Sequence, residues 1–63
     1  MIDNQKPLEI GSKVRLEVRH CTYITCTAME SVYNREWQEY DYILQPNSGG
    51  EPIQTWARNI EYY

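Results

Sequence analysis

Phenylalanine is absent from this chain, histidine occurs once, and cysteine occurs twice. Each scarcity removes a class of function. His20, Cys21 and Cys26 give three candidate ligands where a structural zinc takes four, and the cysteines do not form a close C-x-x-C pair. Five positions apart, Cys21 and Cys26 would point to opposite faces of a continuous strand. Cys26 therefore reads as a buried apolar residue and Cys21 as a turn residue, with no metal and no cofactor expected. Catalysis by a nucleophile or a general base needs several groups converging on a pocket. One histidine at a turn and two ordinary thiols do not supply them, so no enzymatic activity is expected. No apolar run approaches the length that crosses a bilayer. The first six residues lack the apolar stretch of a secretory signal. The expectation is a cytoplasmic protein with reduced thiols and no membrane partner.

Basic residues are also scarce, at six against nine Asp and Glu. They are unevenly placed. Residues 1–20 hold Lys6, Lys13, Arg15 and Arg19 against Asp3, Glu9 and Glu17. Residues 21–63 hold only Arg35 and Arg58 against Glu30, Glu36, Glu39, Asp41, Glu51 and Glu61. Affinity for nucleic acid rests on neutralising phosphates, and an acidic domain does so poorly. The balance disfavours a nucleic-acid partner.

What the chain does have is six Tyr and two Trp in 63 residues. A domain of this size leaves much of its surface exposed and needs large side chains to build a core. Tyr and Trp bury large apolar areas but keep one polar group that wants a partner, which suits positions half in the core and half on a binding surface.

Residues 12–19 alternate strictly. Val14, Leu16 and Val18 point one way, and Lys13, Arg15, Glu17 and Arg19 the other, which predicts a half-buried strand. A turn at 20–22 leads to a second strand over 23–33, rich in Thr, Tyr, Ile and Val. Its alternation slips near 28–31, where a bulge or bend is expected; a helix over 27–34 is the competing reading. Asn34 and Arg35 read as a short hairpin turn, with Asn taking positive φ. A third strand follows over 36–45, with Tyr40, Tyr42 and Leu44 on one face. Residues 46–50 are a turn cluster. A fourth strand over 51–56 and one helical turn precede a short closing strand. Residues 1–7 are expected as a flexible arm and 8–63 as one domain. The predicted core is Val14, Leu16, Val18, Ile24, Cys26, Leu44, Ile53 and Ile60.

The opening run from Ile10 to Leu16 and the ending run from Thr55 to Glu61 resemble the SH3-like small β-barrels, a group that includes Tudor-like and KOW-like domains. The resemblance covers roughly residues 9–63 and is one of fold. It implies a small all-β protein: a five-stranded antiparallel SH3-like barrel with a terminal 3₁₀ turn. Gly11 to Arg15 are similar to the opening of the extrinsic SH3-like subunit of photosystem I. Residues 53–56 resemble the pore segment of the type II dihydrofolate reductases, with only Gln54 identical. Single-domain proteins of this group dock on something larger, so the resemblance implies a protein-interaction module or accessory subunit. The alternatives are a nucleic-acid-associated regulator and an oligomeric enzyme whose pore is shared between subunits; a homo-oligomer stays open.

The candidate binding residues are Trp37, Trp56, Tyr40, Tyr33, Arg15 and Arg19. Trp37 and Trp56 break the local alternation or oppose its apolar face, and Trp is enriched at binding hot spots. If the third and fourth strands pair around the 46–50 turn, Tyr40 faces Trp56 and the two indoles lie near one end of the strand pair. Arg15 and Arg19, with Lys13, form a basic stripe on the outer face of the first strand. The bland account of that stripe is an ordinary solvated face.

Overall fold

The computed structural model describes residues 1–63. Five strands form it: β1 (Lys13–Arg19), β2 (Thr22–Asn34), β3 (Glu39–Pro46), β4 (Ile53–Trp56) and β5 (Ile60–Tyr62). One 3₁₀ turn, η1 (Ala57–Asn59), sits between β4 and β5. All pairings are antiparallel, and the order across the sheet is β4-β3-β2-β1-β5. The protein is all-β, and its five-stranded sheet is compatible with an SH3-like fold. No helix is long and apolar enough to cross a membrane.

The alternation in β1 works as its sequence predicts. Val14 and Leu16 are buried, between Cys26 and Ile24 of β2 on one side and Tyr62 and Ile60 of β5 on the other. Val18 departs from the prediction and is 46% exposed. The β5 ladder ends opposite Leu16, and the β1–β2 register shifts between Glu17 and Arg19, so Val18 has no closing strand over it. The β2–β3 register shifts between Ala28 and Glu30, which places the expected bulge. Beyond it Ser31 and Tyr33 face the same side as Tyr42 and Tyr40, their cross-strand partners.

The core holds Val14, Leu16, Cys26, Ala28, Tyr42, Leu44, Ala57 and Ile60, with Ile24, Ile53 and Tyr40 packed against it half-buried. Two further members come from the N-terminal segment: Ile2 and Leu8 are both buried. The Ile2 N–H donates to the Ala57 carbonyl at 3.3 Å, and the Tyr40 N–H donates to the Asn4 carbonyl at 3.0 Å. The Tyr42 hydroxyl lies 2.7 Å from the Lys6 carbonyl and 3.0 Å from the Asp3 carbonyl. Burial and the nearby Asp3 charge push its pKa up to about 12. The segment expected as a loose arm thus packs against the core and hydrogen-bonds to β3 and η1.

Residues 47–52 connect β3 to β4, with Gly49 and Gly50 both at positive φ. This loop is longer than the turn the sequence implies, and it sets the β3–β4 register. Leu44 pairs Ile53, Tyr42 pairs Thr55, and Asp41 pairs Trp56. A one-residue change of register exchanges the two faces of a strand. Tyr40 therefore does not sit opposite Trp56. It points inward, its ring 5.2 Å from that of Tyr33 in an edge-on contact and 6.3 Å from that of Tyr42.

A candidate aromatic cleft

The hairpin joining β2 to β3 is not a two-residue turn. It spans residues 35–38, and β3 begins only at Glu39. Asn34 stays within β2 and acts through its side chain instead of through positive φ. Its Oδ1 accepts the N–H of Glu36 at 3.0 Å and of Trp37 at 3.2 Å, an Asx turn that starts the loop. Gln38 takes the positive φ, at 55°. Its carbonyl accepts the Gln5 side chain at 2.7 Å, so the N-terminal segment also braces this turn. Trp37 consequently lies on the turn, 70% exposed, not in a strand.

Trp56 ends β4 and faces outward, 38% exposed. Together with Trp37, Glu39 and Arg58 it lines a cleft of about 160 Å³. The Arg58 guanidinium, carried by η1, lies 5.0 Å from the centre of the Trp56 ring. That is within the reach of a cation–π contact. Oε2 of Glu39 accepts a hydrogen bond from the Asn4 amide at 3.0 Å.

Asp41 lies beside Trp56 in the strand pair, on the same outward face. It is nevertheless only 9% exposed. Its Oδ2 accepts the Gln54 amide at 3.1 Å and the Asn34 amide at 3.3 Å. Its Oδ1 is buried and has no partner. The one ion pair in the molecule joins the N-terminal amine to Glu61, so neither Glu36, Glu39 nor Asp41 is neutralised by a cation. In the sequence Asp41 belongs with Glu36 and Glu39 to an acidic group that reads either as an ordinary solvated face or as a surface for a basic partner or a phosphate mimic, and an acid on the outward parity of a strand favours the first. The burial of Asp41 depends on the neighbours that the register brings to it.

Of the six candidate binding residues, Trp37 and Trp56 line one cleft. Tyr40 and Tyr33 meet edge to face on the opposite face of the strands, Tyr33 with 45% of its surface open. Arg15 and Arg19 are exposed on β1, which β2 separates from β3 in the sheet. Arg15 stacks 5.5 Å over the Tyr23 ring and lines a shallow hollow with Thr25 and Tyr63. Glu17, followed by burial, holds the Tyr23 phenol above its usual pKa.

Cys26 is buried, and burial raises its thiol pKa, while Cys21 is exposed at a positive φ of 60°. No three His, Cys, Asp or Glu side chains are grouped so as to hold a metal ion. No protein-family profile, no curated protein and no solved structure matches this chain.

Proposed function

We propose that this protein is an SH3-like barrel acting as a non-catalytic interaction module or accessory subunit, and that a partner protein docks at the cleft between Trp37 and Trp56. The observation that carries this reading is the cleft itself: one indole from the β2–β3 turn and one from the end of β4 meet at one end of the β3–β4 pair, the first of them 70% exposed. An exposed Trp that contributes nothing to the core has no structural reason to be Trp, and Trp dominates binding hot spots. The cleft is small for a metabolite, since small-molecule pockets run from roughly 300 Å³ upward. It fits one or two side chains. The uncompensated carboxylates around it oppose a nucleic-acid backbone. Two unpaired thiols suit a reducing compartment such as the cytoplasm.

The test replaces Trp37 and Trp56 singly by Ala and measures both the melting temperature and the capture of partners from the native host. The expected outcome is retained folding with lost capture for each. Capture that survives both substitutions would place the docking surface elsewhere.

A further inference from the structure

We infer that the cleft takes a cationic side chain, arginine or lysine, presented by a basic segment of the partner protein, and that Arg58 is an internal stand-in which the incoming cation displaces. This rests on the reading of the cleft as the docking site and adds the chemistry of its ligand.

Three observations converge. The Trp56 ring already holds a guanidinium at 5.0 Å, and that guanidinium makes no ion pair. Arg58 is exposed and anchored by the ring face alone, on a three-residue turn. Such a contact is weak and exchangeable. Next, Glu36, Glu39 and Asp41 outnumber the one cation at the cleft, Arg58, and none of them is in an ion pair. Glu39 lines the cleft with only an amide on its carboxylate, and Glu36 stands beside Trp37 in the turn. Independently of these, Asp41 is buried alongside Trp56 with one carboxylate oxygen unpartnered. Asp41 does not line the cleft, but buried carboxylates are ordinarily paired, and this unpaired charge on the neighbouring strand position adds negative potential beside the Trp56 indole. The size agrees: roughly 150 Å³ accommodates a benzene-sized guest, and the cleft offers about 160 Å³. That space suits the head of one side chain.

An anionic ligand is repelled here, and an uncharged proline-rich segment makes no use of Asp41 or Glu39. A second copy of the chain could offer its own basic stripe on β1, and the experiment separates that case.

The full-length protein, labelled with ¹⁵N, is titrated with a Gly/Ser peptide carrying three arginines, with its lysine counterpart, and with its citrulline counterpart, which keeps the shape without the charge. The two indole N–H resonances report the cleft. The arginine and lysine peptides should shift both resonances, with affinity falling as salt rises, and the citrulline peptide should shift neither. Arg58→Ala should keep the fold and bind the arginine peptide roughly two- to fivefold more tightly, the worth of removing one exposed cation–π competitor. Citrulline binding as well as arginine, no indole shift with any peptide, or weaker binding by Arg58→Ala would each overturn the inference. Indole shifts with citrulline alone would do so while leaving the docking site standing, whereas capture that survives both Trp substitutions removes the site itself. Concentration-dependent self-association abolished by Arg15→Glu would assign the cleft to a second copy and overturn it too.

Discussion

The side-chain amide of Asn34 donates to Oδ2 of Asp41 at 3.3 Å while its own carbonyl oxygen holds the turn that carries Trp37. One side chain thus ties the exposed indole of the turn to the strand position beside the second indole. Asn34→Ala removes all three hydrogen bonds at once. It should destabilise the domain by about 1–2 kcal/mol, in the range for loss of a capping side chain. It should also broaden the Trp37 indole resonance while leaving that of Trp56 sharp. A sharp Trp37 signal in this variant would show that the turn is held by Gln5 and Gln38 instead.

Asp41→Asn tests the unpartnered oxygen. The two amides on Oδ2 keep their acceptor, and a carboxylate without a cation partner is removed from a buried place. The domain should become more stable by about 1 kcal/mol, read from urea denaturation. Binding of the arginine peptide should weaken in the same variant. A loss of stability would mean that the amide NH₂, which takes the place of Oδ1 where no acceptor is in reach, costs more than the charge it removes.

Tyr42 links the core to the N-terminal segment. Tyr42→Phe leaves the Asp3 and Lys6 carbonyls without their donor and should destabilise the domain by about 1 kcal/mol. The amides of Ile2 and Tyr40 should exchange faster with deuterium. The pH dependence has a definite sign. The folded-state pKa is about 12, and an unfolded tyrosine ionises near 10. Between these values the folded state binds more protons than the unfolded one, so stability is full below about pH 10 and falls as pH rises toward 12. The phenylalanine variant should lack that alkaline loss.

Leu16 and Val18 share a parity but not an environment. Leu16→Ala should destabilise by about 2–5 kcal/mol, enough to threaten a domain of this size. Val18→Ala should change stability by less than about 0.5 kcal/mol. Equal effects would require a longer β5 that closes over both.

The two thiols should differ in rate. In the native state Cys21 should react promptly with a thiol reagent while Cys26, buried and with its pKa raised, reacts only on unfolding. Two equivalents should titrate after denaturation. A single prompt phase of two equivalents would expose Cys26.

The legible parts of this fold were those set by local pattern. Strict alternation placed Val14 and Leu16, and the slip in parity near residue 29 marked the bulge. The meeting of Trp37 and Trp56 followed from strand order and survived a register error, because a shift of one residue moves a side chain along the strand by little more than 3 Å. The same shift exchanged Tyr40 for Asp41 beside Trp56, since facing depends on parity. The role of residues 1–8 was illegible for a different reason. Their placement rests on backbone carbonyls accepting from Tyr42 and Tyr40, and a carbonyl leaves no trace in residue identity. Val18 shows the limit of periodicity: alternation tells which way a residue points but not whether another strand reaches that far.

The outermost strands of the sheet are four and three residues long. A partner that joins a sheet as an extra strand draws its affinity from a row of main-chain hydrogen bonds and reads little of its own sequence. Here that row is short, and the Ala57 carbonyl just after β4 is already taken by the N-terminal segment, as is the Tyr40 N–H of the neighbouring β3. Short edges of this kind also discourage chains from stacking edge to edge. Recognition is thereby left to side chains, so single substitutions on the partner should decide whether it is chosen.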